Sequence, residues 1–332
     1  MNEKKKMRMF LLIAFGVPAL LSIFMWIAHR RGLDAGAFPL AWMFLPAAAA
    51  MAAKKRFETP EQPFPSAFYW TYLAITGAMI LSSVASAFVA SRVWEILTNA
   101  LMIAGGIVIL IEILAMGKKK RAAIGLSFGK NAGKTGLGAL LFVVLYALGF
   151  ALNVLLTMWI KGVRWSEISQ TFSFYPLGVI SLLLSLPLSY LAFFGEEYGW
   201  RGFFQPALQE KYGLRKGVVL LGVLWGLWHL PLNFLYYSPE TGFFSLLVQI
   251  AACIGLGIFF GWLYRKTGNL GSVVLLHFLQ NNLGYALFGT MPVDVVWEFK
   301  DVLIAVLVYL AVYLPFLLTK EYRQPQRETT AA

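Results

Sequence analysis

Ten apolar runs of membrane-spanning length follow one another along this chain of 332 residues. Each has about 17–25 residues, which is the length that an α-helix needs to cross the hydrocarbon core of a bilayer. Because no water is available there, a spanning segment must bond its own backbone polar groups, and a helix does so. The sequence therefore predicts an all-α, polytopic bundle of about ten transmembrane helices. The predicted spans are 9–28, 35–53, 68–90, 95–116, 136–158, 175–196, 217–236, 243–264, 270–288 and 300–318.

The composition supports a membrane protein and excludes a soluble one. Hydrophobic residues make up 59% of the chain and charged residues 13%, whereas soluble domains have about 45–50% and about 25%. A net charge of +12 would suggest a nucleic-acid partner in a soluble protein. In a membrane protein, basic loops instead set the orientation and meet anionic lipid. The lipid bilayer is therefore the expected partner, and no nucleic acid is expected.

The distribution of Lys and Arg predicts the orientation. If the N-terminus is cytoplasmic, 22 of the 28 Lys and Arg residues fall on the cytoplasmic side of the ten spans, in keeping with the positive-inside rule. We therefore expect a multi-pass protein of the cell membrane with both termini in the cytoplasm. The basic loop 118–135 separates an N-terminal part of about four spans, 1–117, from a catalytic membrane core, 136–318. A polar cytoplasmic tail, 319–332, follows, and we expect it to be disordered.

Three short polar clusters interrupt the apolar second half of the chain. Ionisable groups are costly inside a membrane and are retained mainly where they pair with each other or do chemistry. Carboxylates and imidazoles can activate a water molecule, and imidazole and amide groups can donate hydrogen bonds to an oxyanion. Together they predict an intramembrane hydrolase. The clusters are Glu196 and Glu197 with Arg201, then His229, then His277 with Asn281.

The first cluster predicts different tasks for its two carboxylates. Arg201 lies one helical turn beyond Glu197, so these two can form an ion pair. Glu196 projects about 100° away from Glu197 and can face the interior of the bundle. A carboxylate without a cation is the better candidate for a general base. The alternative is that the cluster is a charged interfacial cap on the sixth span.

The two histidine clusters also have structural alternatives. His229 precedes Pro231, which loosens the helix and frees backbone groups for local polar partners, yet a histidine among aromatic residues can be purely structural. His277 and Asn281 are four residues apart and share a helix face, from which both can donate to an oxyanion. Ordinary hydrogen bonding between helices, worth about 0.6 kcal/mol on average, is the alternative there. The presence of all three clusters favours chemistry.

Other intramembrane hydrolase mechanisms do not fit the residues. The chain has no His-Glu-x-x-His motif of a zinc metalloprotease, and its three aspartates lie in loops or at span ends, which excludes an aspartyl dyad. The run from Gly125 to Gly129 matches Gly-x-Ser-x-Gly. It lies in a basic loop with no strand before it, so we interpret the match as coincidence.

The three clusters resemble the motifs of the CAAX protease and bacteriocin-processing (CPBP, or Abi) family of intramembrane endopeptidases. That family has Glu-Glu-x-x-x-Arg, then an aromatic-x-x-x-His, then His-x-x-x-Asn or Asp. The resemblance covers about residues 175–288, inside the predicted core. One position departs from the family, because Trp225 stands where Phe is usual; we interpret it as a packing aromatic. The corresponding runs here are Glu196-Glu197-Tyr-Gly-Trp-Arg201, Trp225-Gly-Leu-Trp-His229 and His277-Phe-Leu-Gln-Asn281.

The resemblance implies a role for each residue. Glu196 and His229 would activate water, His277 and Asn281 would form the oxyanion site, and Glu197 and Arg201 would support them. Members of the family have been described both as glutamate proteases and as metalloproteases. We expect no cofactor to be required; a divalent metal such as zinc is the alternative, held by Glu196, His229 and His277.

Three classes of function remain open from the sequence. The favoured one is an endopeptidase that cleaves a membrane-associated peptide or protein near the cytoplasmic face. The second is a non-proteolytic membrane scaffold or regulator, of an immunity type, on the same fold. The third is a proton-coupled transporter, since buried His and Glu also build proton relays; no second copy of the polar pattern is present, although many transporters have internal repeats. The complete set of catalytic-type residues favours the endopeptidase.

Overall fold

The computed structural model describes residues 2–57, 65–127, 129–169, 175, 177–289 and 294–323. Within these ranges all regular structure is helical and no strand occurs, which confirms the all-α prediction. The helices are α1 Asn2–Arg30, α2 Ala37–Phe57, α3 Ser66–Ser86, α4 Val93–Ala115, α5 Lys118–Ala123, α6 Ala132–Lys161, α7 Trp165–Ser169, α8 Gly178–Tyr212, α9 Leu214–Trp228, α10 Leu230–Tyr237, α11 Gly242–Thr267, α12 Leu270–Phe288 and α13 Phe299–Leu318.

The helices agree with the predicted polytopic bundle. In the described part of the chain, eight helices are long and apolar enough to cross a membrane, and the bent pair α9 and α10 makes nine if it is one span. One of the ten predicted spans is not among these candidates. The remaining predicted span does form a helix, α12, of 19 residues. Its composition is more polar because it carries His277, Gln280, Asn281 and Asn282, the residues that belong to the predicted site or flank it.

Helix α8 does not end at the first polar cluster. It passes through a π-helical turn at Trp200–Phe204 and continues to Tyr212, whereas the predicted span ended at 196. Glu196 therefore lies about 27 Å along the helix from Gly178, at a rise of about 1.5 Å per residue. The exposed fraction of Glu196 is 2%, and that of Arg201 is 0%. The interfacial-cap alternative is wrong, because these side chains are buried within the bundle. π-Helical turns are frequent at functional sites.

A helix break places His229 at the end of α9. Helices α9 and α10 meet at an angle of 41°, and His229 has φ −83° and ψ 2°. Pro231 has no N–H to continue the helical hydrogen bonds, and its ring clashes with the preceding turn. The N–H of His229 accordingly donates to the carbonyl of Gly226, 3.1 Å away and only three residues back. The predicted loosening beside Pro231 is confirmed.

Glycines bring the site-bearing helices close to their neighbours. A Cβ atom on Gly226 of α9 would lie 2.6 Å from the Cα atom of Ile250 on α11. One on Gly199 of α8 would lie 2.4 Å from the carbonyl carbon of Pro46 on α2. Small residues at helix contacts allow such close approach in membrane proteins. Helices α8 and α9 are thus held against α2 and α11.

The start of the C-terminal tail is ordered. Tyr322, in a short 3₁₀ turn, is 3% exposed, and its hydroxyl donates to the Ile258 carbonyl at 2.6 Å. The indole N–H of Trp262 donates to the carboxylate of Glu321 at 3.1 Å. The prediction of a disordered tail is therefore wrong for its first residues, because an aromatic side chain packs against α11. Residues 324–332 lie outside the described ranges, and the division into domains stays a prediction.

Candidate active site

A polar cavity of about 190 Å³ lies between α2, α8, α9, α11 and α12. Glu196, His229, His277 and Asn281 all line it, so the fold brings together residues from all three predicted motifs. Gln280 lines the cavity as well. We call this space the polar cavity.

Glu197 joins the first motif to the third. Its Oε1 atom accepts a hydrogen bond from Nη1 of Arg201 at 3.0 Å and lies 2.7 Å from Nδ1 of His277. The ion pair with Arg201 is present as predicted. The contact with His277 was not predicted, since that residue was grouped only with Asn281. Buried charges remain stable only when paired and hydrogen-bonded, and one carboxylate oxygen here serves both partners.

Glu196 has indole partners in place of a cation. Its Oε2 atom accepts from Nε1 of Trp225 at 2.6 Å and from Nε1 of Trp200 at 3.2 Å. Within the described ranges, no Lys or Arg forms an ion pair with Glu196. The interpretation of Trp225 as only a packing aromatic is wrong, because its indole N–H donates to the proposed base. A buried indole N–H usually has an acceptor. This rule was the one feature of the sequence that could have indicated a polar contact for Trp225.

The helix break sets the tautomer of His229. Its Nδ1 atom lies 2.8 Å from the carbonyl oxygen of Trp225. A carbonyl oxygen only accepts, so Nδ1 carries the hydrogen, and Nε2 of the neutral ring is the atom that can accept a proton. The Trp225 carbonyl is available because the His229 N–H bonds to Gly226 instead. The ring also packs on Trp228, with centroids 4.9 Å apart, but packing alone does not account for its place on the polar cavity.

The residues do not form a site for a metal ion. Within the described ranges there is no group of three or more His, Cys, Asp or Glu side chains that could hold one. Glu196, His229 and His277 line the same cavity, yet as placed they do not provide the three-ligand arrangement of a catalytic zinc site. We therefore assign no chemical step to a metal, and independence from metal stays a prediction.

Comparison with known proteins identifies the region that contains the motifs. Residues 176–283 match the family described as "Type II CAAX prenyl endopeptidase Rce1-like". The chain is 34% identical over 139 residues to the CAAX prenyl protease 2 of Methanococcus maripaludis, an alignment that covers 39% of this chain and 49% of that relative. The chain thus spans about half the length of the curated relative that it matches.

Both comparisons agree with the prediction of a CAAX-prenyl-protease-like membrane endopeptidase. The matched range, 176–283, agrees with the range of about 175–288 over which the sequence resembled the family, and it contains all three motifs. Helices α1 to α7 and α13 lie outside it. Residues 176–283 therefore match the Rce1-like CAAX prenyl endopeptidase family, and the resemblance inferred from the motifs is confirmed.

Proposed function

We propose that this protein is a multi-pass intramembrane endopeptidase that hydrolyses a peptide bond of a membrane-associated peptide or protein. The observation that carries the proposal is the position of Glu196, His229, His277 and Asn281 around one buried polar cavity. A carboxylate, two imidazoles and an amide supply a base, a proton carrier and oxyanion donors. The family match supports hydrolysis as the chemistry.

Glu196 and His229 activate the attacking water. Glu196 accepts the proton, since it is the carboxylate without a cation, and the indoles of Trp200 and Trp225 hold it in place. The His229 ring lines the same cavity as Glu196. Its Nε2 atom, which carries no hydrogen, binds the same water, takes over the proton from Glu196 and passes it to the leaving amine. A positioned general base contributes about 10²–10⁴-fold to a reaction rate.

His277 and Asn281 stabilise the oxyanion. Because Nδ1 of His277 donates to Glu197, Nε2 can donate as well only when the ring is an imidazolium. The side-chain amide of Asn281 supplies the second donor.

The orientation rests on the basic loops. The excess of Lys and Arg on the side of 118–135 supports a cell-membrane protein with this loop and both termini in the cytoplasm. Cleavage near the cytoplasmic face stays a prediction. Helix α8 continues past Glu196 to Tyr212, while His277 lies seven residues, about 10 Å, from the start of α12 beside the basic loop.

The proposal is tested by mapping peptide termini in membranes that contain the wild-type protein or Glu196→Gln. We expect a set of new termini with the wild type that is absent with Glu196→Gln and with His229→Ala. Asn281→Ala should retain part of the set, because His277 still donates to the oxyanion. Glu112→Gln is the matched control, since Glu112 is a carboxylate of α4 that accepts from Thr71 at 2.7 Å and does not line the polar cavity. Identical termini with the wild type and Glu196→Gln would reject the enzyme and favour the scaffold or regulator.

A further inference from the structure

Helix α2 supplies one wall of the polar cavity. Pro39, Trp42 and Met43 line it, opposite residues of the three motifs. These α2 residues are spaced by three and four positions, so they share one face of the helix. Helix α2 belongs to the N-terminal part, outside the matched range 176–283, and the sequence predicted no role for that part. The cavity is therefore not built by the matched range alone.

Two glycines of α8 hold α2 beside the first motif. Gly195 directly precedes Glu196, and a Cβ atom on Gly195 would overlap the carbonyl oxygen of Met43. One helical turn further on, Gly199 makes the close contact with Pro46 described above. Both contacts depend on the absence of a side chain, which lets the two helix backbones approach closely. The face of α2 that lines the cavity is thus held in a defined position next to the motif.

The indole N–H of Trp42 is unpaired, unlike those of the other tryptophans that line the polar cavity. Trp225 donates to Glu196 at 2.6 Å. Trp228 donates to the carbonyl of Ala14 at 2.8 Å. Trp42 is 0% exposed, yet its Nε1 atom has no hydrogen-bond partner within the described part of the chain. A buried donor without a partner is costly, and such a donor on the wall of a polar cavity indicates a partner that the cavity receives.

The chemistry of the indole limits what that partner is. An indole N–H only donates and carries no charge, so its partner is an acceptor atom that needs no countercharge. A polypeptide main chain offers such an acceptor, the carbonyl oxygen, at every residue. A donor of this kind binds a peptide whatever its side chains are.

The position of Trp42 indicates which carbonyl it meets. Its ring packs edge-on against Trp228, with centroids 6.2 Å apart, and Trp228 packs on His229 at 4.9 Å. Trp42 therefore lies on the His229 side of the cavity, whereas the oxyanion donors His277 and Asn281 lie on α12. In the proposed mechanism His229 protonates the leaving amine, so the peptide carbonyl on the leaving-group side lies nearest to Trp42.

We propose that the indole N–H of Trp42 binds a main-chain carbonyl of the substrate, on the leaving-group side of the scissile bond. The N-terminal part thereby contributes a substrate-binding group to a site whose chemistry comes from the matched range. The choice of carbonyl rests on the proposed function, while the binding of a peptide carbonyl by Trp42 requires no hydrolysis. Trp42 binds the substrate and transfers no proton.

The indole N–H resonance of Trp42 tests the contact directly. The full chain carries isotope-labelled tryptophan and Glu196→Gln, so that no peptide is cut, and is held in detergent micelles. The Trp42 resonance is identified by its loss in Trp42→Phe, or in Trp42→Leu if the first variant does not fold. The probe is a short peptide of alanine and leucine residues with both ends blocked. We expect it to move the Trp42 proton resonance downfield, as a new hydrogen bond does.

Two controls make this result specific. Trp262, whose N–H already donates to Glu321 at 3.1 Å and which does not line the cavity, should keep its resonance in place. n-Decane, which fills apolar space but accepts no hydrogen bond, should give no downfield shift of Trp42. A Trp42 resonance that the peptide leaves unmoved, or that decane moves equally far downfield, would overturn the proposal.

The affinity for the same peptide gives a second measurement. One net hydrogen bond corresponds to an affinity change of about two- to tenfold, so Trp42→Phe should raise the Kd by about this factor. Trp262→Phe is the matched control, because it loses the same ring atoms away from the cavity, and its Kd should equal that of the wild type. Equal Kd values for Trp42→Phe and the control, with both folded by their melting curves, would overturn the proposal.

Cleavage rates separate this proposal from the proposed function. With a peptide that the enzyme cleaves, Trp42→Phe should raise KM by about two- to tenfold and leave kcat unchanged, as expected when a group binds substrate and transition state equally. A lower kcat with an unchanged KM would overturn the binding role. If wild type and Glu196→Gln give identical peptide termini, the proposed hydrolysis fails, whereas a shifted Trp42 resonance and a weaker Kd would still show that Trp42 binds a peptide.

Discussion

Nδ1 of His277 lies 2.7 Å from Oε1 of Glu197, and the same oxygen accepts from Arg201. This contact links the first and third motifs through one carboxylate atom, across helices α8 and α12. It holds the ring of His277 and supports the proposed positioning role of Glu197. The preceding residue, Glu196, is the carboxylate that we propose activates the water.

The two carboxylates should respond differently to the same substitution. Glu196→Gln keeps the shape but cannot accept a proton, so the rate should fall about 10²–10⁴-fold. Glu197→Gln retains an amide oxygen that can accept from Arg201 and His277, so its loss should be smaller. Initial rates of peptide cleavage, together with melting curves that establish folding, check this. Equal losses in two well-folded variants would contradict the division of tasks.

Removing the indole of Trp225 should weaken the enzyme without abolishing it. Its N–H lies 2.6 Å from Glu196, and a hydrogen bond to a charged group contributes about 1.5–3 kcal/mol. We expect kcat of Trp225→Phe to fall about tenfold. Trp200→Phe, whose N–H lies 3.2 Å away, should lose less. Unchanged kcat in Trp225→Phe would show that this hydrogen bond does not support the base.

Activity should survive removal of metal ions. The described residues offer no group of three metal-ligating side chains, and Glu197 and Asn281 are better suited to hydrogen bonding than to zinc. Purified protein dialysed against a strong chelator should keep its rate, with metal content measured on the same sample. Loss of stoichiometric zinc together with activity, and recovery of both on adding zinc back, would prove this prediction wrong.

The contact of α8 with α2 should not tolerate a methyl group. In Gly199→Ala the new Cβ would lie 2.4 Å from the carbonyl carbon of Pro46, so the helices must separate, and such overpacking costs about 1–3 kcal/mol. Both the melting temperature in detergent and the activity should fall. Gly136→Ala on α6 is the control, because nothing lies within 4 Å of its new Cβ. A Gly199→Ala protein as stable as the control would contradict the packing.

The ordered start of the tail should contribute to stability. A chain that ends at Thr319 lacks Tyr322, and loss of a large buried aromatic side chain costs about 3–5 kcal/mol. A chain that ends at Arg323 keeps both the Tyr322 contact and the bond from Trp262 to Glu321. We expect the first truncation to lower the melting temperature and the second to leave it near that of the full chain. Equal melting of both would show that Tyr322 adds nothing.

Polar residues in apolar runs were sufficient to predict which side chains the fold gathers. The cost of burying Glu196, His229 and His277 in a membrane gave the reason to group them, and the fold places them on one cavity. The end of α8 could not be predicted, since charges usually mark the end of a span. Arg201 is charged yet buried, because its guanidinium pairs with Glu197 and lies over the ring of Trp225.

Contacts between helices that are distant in the chain could also not be predicted from the sequence. Nothing in the spacing of Trp225 shows that its indole reaches a carboxylate 29 residues earlier. The uncharged cavity beside α6 was missed for a related reason, because side chains that face lipid and side chains that line such a cavity are similarly apolar. On α6 the Asn153 amide and the Tyr146 hydroxyl mark the side that lines it.

The break beside Pro231 means that His229 is oriented by the main chain. Its acceptor is the Trp225 carbonyl, which every amino acid possesses, so a change of side chain at 225 leaves the ring tautomer intact. The same change alters the surroundings of Glu196, since the Trp225 indole donates to its carboxylate. Evolution or protein engineering can therefore adjust the proposed base at this one position without removing the main-chain acceptor of the histidine beside it.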